Sequence, residues 1–207
     1  MKSIAVILPS RGLIHSRTME SVTANLAPFK AKYFYSHNLP IPECFNFPVN
    51  EALNYETQYV MLVEEDMLFP PNTVSRMVNM DEPVVSVEYA DRRTGKNLMW
   101  RDNKGEVVLT GIGCMLLKRE VFEKMEAPYF RQVMIEKMGD GTLRERSDIK
   151  IRESDYGTQD VYFCVKLREA GYKINLLPNA NIGHLQVEEY GEDIKNSGQH
   201  KIKAVYL

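Results

Sequence analysis

An unbroken apolar run that ends in acids constrains this chain more than any other stretch. Tyr59-Val60-Met61-Leu62-Val63 leads straight into Glu64-Glu65-Asp66. A run this short, ahead of a turn signal, predicts a strand buried on both faces, as in parallel sheets. Side chains alternate along a strand, so Glu64 and Asp66 are expected on one side and Glu65 on the other. Two carboxylates then converge where the strand leaves the core, and open α/β sheets bind ligands beyond such carboxyl ends. A carboxylate pair suits a hard divalent cation, Mg²⁺ or Mn²⁺, which often holds substrate phosphates as well. A solvated acidic turn is the plainer reading of the same residues.

Strands and helices alternate on both sides of this run. Residues 4–8 predict a first strand, ending at Pro9-Ser10-Arg11-Gly12. A helix over 16–26 follows, with Thr18, Val22 and Leu26 at helical spacing and Pro28 setting its end. A strand at 32–36 precedes a three-proline stretch, 38–48, that reads as a loop, and then a short helix over 48–55. Asn72 reads as the N-cap of a helix with the stripe Val74, Met77 and Val78. A strand at 83–87 opens into the polar turn Asp91-Arg92-Arg93-Thr94-Gly95. Residues 98–109 predict a hairpin turning at Asn103-Lys104-Gly105, followed by a strand over 114–117 and a helix over 118–125. Residues 136–152 are polar and charged, and read as a mobile surface loop. A helix opens at Gly157-Thr158-Gln159-Asp160 and closes at Gly171, and 173–177 is the last clear strand. The tail after 188 is polar. With no repeat and no linker, 1–207 reads as one domain. The alternation indicates an α/β fold with a mostly parallel sheet, and the hairpin adds an antiparallel portion.

Composition narrows the function classes. The net charge of −2 gives no global attraction to nucleic acid or an anionic membrane. The basic residues Arg144, Arg146, Lys150 and Arg152 are interleaved with Glu145, Asp148 and Glu153, so a nucleic-acid acceptor is not favoured. Cys44, Cys114 and Cys164 form no CxxC pair, and an odd count argues against a disulfide framework. Reduced, buried thiols in a cytoplasmic protein are expected. No stretch is long enough for a transmembrane segment, and the first apolar run lacks a cleavage site. Nothing in the sequence fixes an oligomeric state.

The order of parts resembles the GT-A fold of nucleotide-sugar glycosyltransferases. In that family a first strand ends in a small loop that touches the nucleotide, here Pro9-Ser10-Arg11. A middle strand ends in a metal-binding DxD motif, matched by Glu64-Glu65-Asp66 with Glu in the first place. A glycine-containing strand floors the acceptor site, like Thr110-Gly111-Ile112-Gly113-Cys114-Met115. An acidic helix start follows, here Gln159-Asp160-Val161-Tyr162-Phe163-Cys164, with one acid where the family more often has two. A last strand leads to a His that completes the metal site, matching Gly183-His184-Leu185. The resemblance covers about residues 3–186.

It implies a nucleotide-sugar donor, most often UDP-linked, an acceptor hydroxyl, and Mn²⁺ or Mg²⁺ held by Asp66, Glu64 and His184. The cation offsets charge on the departing diphosphate, and imidazole suits Mn²⁺ better than Mg²⁺. Asp160 is the implied general base. The competing role is helix capping, in which the macrodipole holds its pKa down. Arg11, Arg92 and Arg93 are expected at the phosphates, since guanidinium grips them in a fork. Gly111 and Gly113 would let backbone approach the substrate, or mark a bulge. Trp100 could stack on the acceptor or simply pack. Residues 136–152 could close as a lid. An idle sugar-nucleotide binder is a second reading, kept open by Glu64 and Gln159. A nucleotidyltransferase is a third, disfavoured because Pro9-Ser10-Arg11-Gly12 is a poor glycine-rich basic loop.

Overall fold

Strand β3, Tyr59–Val63, lies inside the sheet with every residue buried. The computed structural model describes residues 1–10, 12–91, 95–145, 156–188 and 201–205. In chain order the elements begin with β1 (Ser3–Ser10), α1 (Ser16–Leu26), β2 (Lys30–His37), α2 (Glu43–Ala52), β3 and β4 (Met67–Leu68). Then come α3 (Thr73–Asn79), β5 (Val84–Ser86), β6 (Trp100–Arg101), β7 (Val107–Leu109), β8 (Cys114–Lys118) and α4 (Arg119–Lys124). The remainder are β9 (Val133–Lys137), β10 (Leu143–Glu145), β11 (Tyr156–Gly157), α5 (Gln159–Glu169), β12 (Asn175–Leu176), β13 (Gly183–Glu188) and β14 (Lys201–Val205).

The main sheet has six strands in the order β12-β5-β8-β3-β1-β2. β2, β1 and β3 run parallel, as do β12 and β5, and only β8 runs against its neighbours. Alternation along β3 sends Val60 and Leu62 into a core with Phe45, Val49, Phe122 and Phe163 from α2, α4 and α5. Tyr59, Met61 and Val63 enter the opposite core, with Val22 and Leu26 of α1 and Val74 and Met77 of α3. Helices therefore cover both faces, which is why β3 is apolar without interruption. The chain has the expected α/β fold, a mixed and mostly parallel sheet between helices.

Several elements depart from the sequence reading. The stretch 38–48 is not all loop, because α2 starts at Glu43 and runs through Pro48. Proline has no N–H for the Cys44 carbonyl, and the Ser36 hydroxyl donates to that carbonyl instead, at 2.6 Å. Asn72 stands at the start of α3 in the left-handed region, φ 65°, and its side chain makes no capping bond. Within 136–152, residues up to 145 form a hairpin, with β9 between β10 and β11, packed on Tyr162 and Val165 of α5. The stretch read as a loop is thus paired strand and turn over 136–145, and 146–152 lie outside the described residues, as does Asp155. The tail is not featureless either, since β14 pairs antiparallel with β13.

Cys44, Cys114 and Cys164 are free and buried, as expected. Burial pushes the Cys44 thiol up to about 11 and the Cys164 thiol up to about 12, so neither is a thiolate at neutral pH. Among the described residues, no helix is long and apolar enough to cross a membrane.

Candidate metal centre

The site is built where β3 gives out. β3 ends at Val63, opposite Cys114 of β8, and the Glu64 N–H still bonds the Gly113 carbonyl at 3.2 Å. The chain then turns, and β4 pairs antiparallel with β13, setting Met67 opposite His184. The Leu185 N–H donates to the Asp66 carbonyl at 2.8 Å. Glu64 and Asp66 thus converge through a turn rather than through strand alternation. One ligand atom from each of Glu64, Asp66 and His184 lies within 4.8 Å of the others. A six-coordinate ion with ligands near 2.1 Å sets opposite ligands about 4.2 Å apart, so the group fits a single ion. Two carboxylates and an imidazole offer the oxygen and nitrogen ligands of a divalent cation.

His184 is oriented for such a role. It is buried, its Nδ1 is 2.9 Å from the Ala90 carbonyl oxygen, and its Nε2 is 3.4 Å from Asp66 Oδ1. A carbonyl only accepts, so Nδ1 carries the hydrogen. In the neutral ring, the Nε2 lone pair then faces a carboxylate oxygen, an arrangement that calls for a cation between them. Burial opposes the imidazolium, yet the hydrogen bond and charge of Asp66, the Ala90 carbonyl and Glu64 together hold the His184 pKa above its ordinary value.

A residue that the sequence did not single out closes one side. Tyr89 is 2% exposed, and its hydroxyl accepts the Gly113 N–H at 2.8 Å. Its ring meets His184 edge-on, with centroids 5.6 Å apart and planes at 86°. A Cβ at Gly111 would fall 2.1 Å from that hydroxyl, and one at Gly113 2.8 Å from it and 2.9 Å from Glu64 Oε2. The two glycines therefore make room for Tyr89 and Glu64. The spacing Gly111-Ile112-Gly113 was the one signal of a close neighbour, and it could not say which.

Asp160 sits in the first turn of α5, after the N-cap Thr158. The Thr158 hydroxyl and the Val161 N–H both donate to its Oδ1. Burial nevertheless outweighs these bonds and raises its pKa, the reverse of the lowering expected from a helix start. Its charge and that of Glu64 both oppose ionisation of the Tyr89 hydroxyl.

The other expected residues lie on separate elements. Pro9 and Ser10 close β1 opposite Ser36 and His37, and Ser10 Oγ accepts the Gly12 N–H at 3.0 Å. Glu65 occupies the turn, and its carbonyl accepts the His15 N–H at 3.1 Å. Trp100 is 41% exposed on β6, with Lys137 Nζ 3.8 Å from its ring centroid, so it is neither buried packing nor a bare platform. Arg11, Arg92 and Arg93 lie outside the described residues.

No protein-family model matches the chain, and no curated protein matches it. Solved structures do. Protein A197 from STIV is 16% identical over 89% of this chain and 85% of its own, with a TM-score of 0.59. That likeness shows a shared fold. A Drosophila β1,4-galactosyltransferase 7 variant, in complex with manganese, UDP-Gal and xylobiose, is 14% identical over 86% of this chain and 66% of its own, at a TM-score of 0.44. A glycosyltransferase involved in glycosylation of the major capsid of PBCV-1 is 14% identical over 61% of this chain and 68% of its own, at 0.38.

Proposed function

We propose that this chain is a metal-dependent glycosyltransferase that moves a sugar from a nucleoside diphosphate, UDP first among them, to an acceptor hydroxyl. The observation that carries the reading is the His184 Nε2 lone pair aimed at Asp66 Oδ1, beside Glu64, at the end of a central strand. Asp66, Glu64 and His184 would hold Mn²⁺ or Mg²⁺, with Ala90 fixing the imidazole tautomer. A bound cation would offset the charge that develops on the diphosphate as the glycosidic bond breaks.

Asp160 is the general base. The acceptor oxygen bonds to the anomeric carbon, the bond from that carbon to the diphosphate oxygen breaks, and the acceptor proton passes to an Asp160 oxygen. Its raised pKa supports the role, because a base titrating closer to the working pH accepts a proton with less penalty. Direct displacement of this kind inverts the anomeric centre. Pro9, Ser10 and Glu65 border the donor, joined by Arg11 and Arg92. Gly111 and Gly113 keep the floor open for Tyr89. Residues 1–207 serve as one domain, and free, buried thiols fit the cytoplasm.

The test is thermal stabilisation by nucleotide sugars with and without Mn²⁺, followed by release of free UDP. A ligand that binds only the folded state raises the melting temperature. Metal-dependent stabilisation with UDP release supports the transferase. Stabilisation with no release from any nucleotide sugar would instead mark an idle sugar-nucleotide binder, the reading that Gln159 at the start of α5 keeps open. No metal-dependent shift at all would sink both.

A further inference from the structure

Tyr89 has one hydrogen-bonding capacity that the contacts above do not use. Its hydroxyl accepts the Gly113 N–H, which leaves its own hydrogen in need of an acceptor. Buried hydroxyls rarely lack one. Three groups crowd the space above Gly113. A Cβ there would meet the Tyr89 hydroxyl at 2.8 Å, Glu64 Oε2 at 2.9 Å and Met67 Sδ at 3.1 Å. Of the other two, a thioether accepts weakly and a carboxylate strongly.

We propose that Tyr89 is a positioning residue of the metal centre, its hydroxyl donating to the Glu64 carboxylate while its ring edge backs His184. This inference rests on the metal-binding reading above. One side chain then borders two of the three candidate ligands, and the next residue, Ala90, holds the imidazole of His184. The hydroxyl fixes which Glu64 oxygen is free to face the ion, and the ring limits the tilt of His184. Hydrogen-bonded partners of this kind set the direction and basicity of metal ligands. Gly111 and Gly113 are glycine because the hydroxyl must sit against the chain to reach Glu64.

The experiment is Mn²⁺ binding to the full chain, followed by the electron paramagnetic resonance of free Mn²⁺. Tyr89→Phe keeps the ring and is expected to raise Kd about 10- to 100-fold. In a Glu64→Gln background the same change should add less than twofold, because the hydroxyl acts through the carboxylate. A Kd for Tyr89→Phe within twofold of wild type overturns the proposal, as do equal losses in both backgrounds. A wild type that binds no Mn²⁺ overturns the metal reading and this inference together. An intact wild type with an indifferent Tyr89→Phe overturns this inference alone. Should Tyr89→Phe fail to fold, proton NMR of the slowly exchanging Tyr89 hydroxyl decides. Its resonance should move upfield in Glu64→Gln, and a stationary signal overturns the proposal.

Discussion

The end of β3 and the start of α5 each hold a carboxylate in place, by different means. Asp66 owes its place to long-range pairing, since β4 binds β13 and so sets His184 beside it. Asp160 is held locally, by the Thr158 hydroxyl and the Val161 N–H within its own helix turn. His184 at the first place and Asp160 at the second both titrate above their ordinary values, for opposite reasons. Burial opposes the His184 cation, but the carboxylates around it prevail. Burial opposes the Asp160 anion, and the bonds it receives do not fully compensate. The contrast suggests a division of labour. A group surrounded by opposite charge is suited to hold an ion, and a half-buried carboxylate is suited to accept a proton.

The largest effect that could break this contrast is at Asp66. Asp66→Ala should abolish the Mn²⁺-dependent rise in melting temperature, and with it UDP release. A variant that still responds to Mn²⁺ would remove the metal role from the β3 end. Next is Asp160→Asn, which should lower UDP release about 10²- to 10⁴-fold and leave the Mn²⁺ response intact. Loss of both together would mean that the two ends are not separate in function. Gly111→Ala comes third, and its methyl would collide with the Tyr89 hydroxyl. Overpacking of this kind costs about 1–3 kcal/mol, readable by urea unfolding, and an unchanged midpoint would show that Tyr89 can move aside.

The subtlest test is the pH dependence of stability in metal-free protein. His184 has a raised folded pKa, so its contribution is fully present below its ordinary value of 6.5 and is lost as pH rises through the folded value. Asp160 is also raised, so its contribution is present below 3.8 and is lost as pH climbs through its own folded value. Unfolding series across pH should therefore show His184→Gln flattening only the upper window and Asp160→Asn only the lower. Asp160→Asn should also be more stable than wild type at neutral pH, since no buried anion remains. The same window moving in both variants would refute the assignment of opposite causes.

Legibility in the sequence followed the range of the interactions. The strand over 59–63 and the helix over 16–26 were legible because alternation and helical spacing are local patterns. The helical stretch ahead of Pro48 was not, because the group that takes up the Cys44 carbonyl is Ser36, on another strand. Likewise the apolar residues of the β9 and β10 hairpin show their purpose only against α5. The direction of the Asp160 shift was not legible, because helix position can be read from sequence, whereas enclosure cannot.

The chain's own order of residues determined the buried central strand, the acids at its end, the free thiols and the α/β alternation, since each follows from a run or period a few residues long. Only the tertiary structure decided that His184 lies across from Met67, that Ala90 takes its Nδ1 hydrogen, and that Tyr89 fills the space left by two glycines. These placements depend on strand pairing and close packing between distant segments, and no local pattern records which distant segment will arrive.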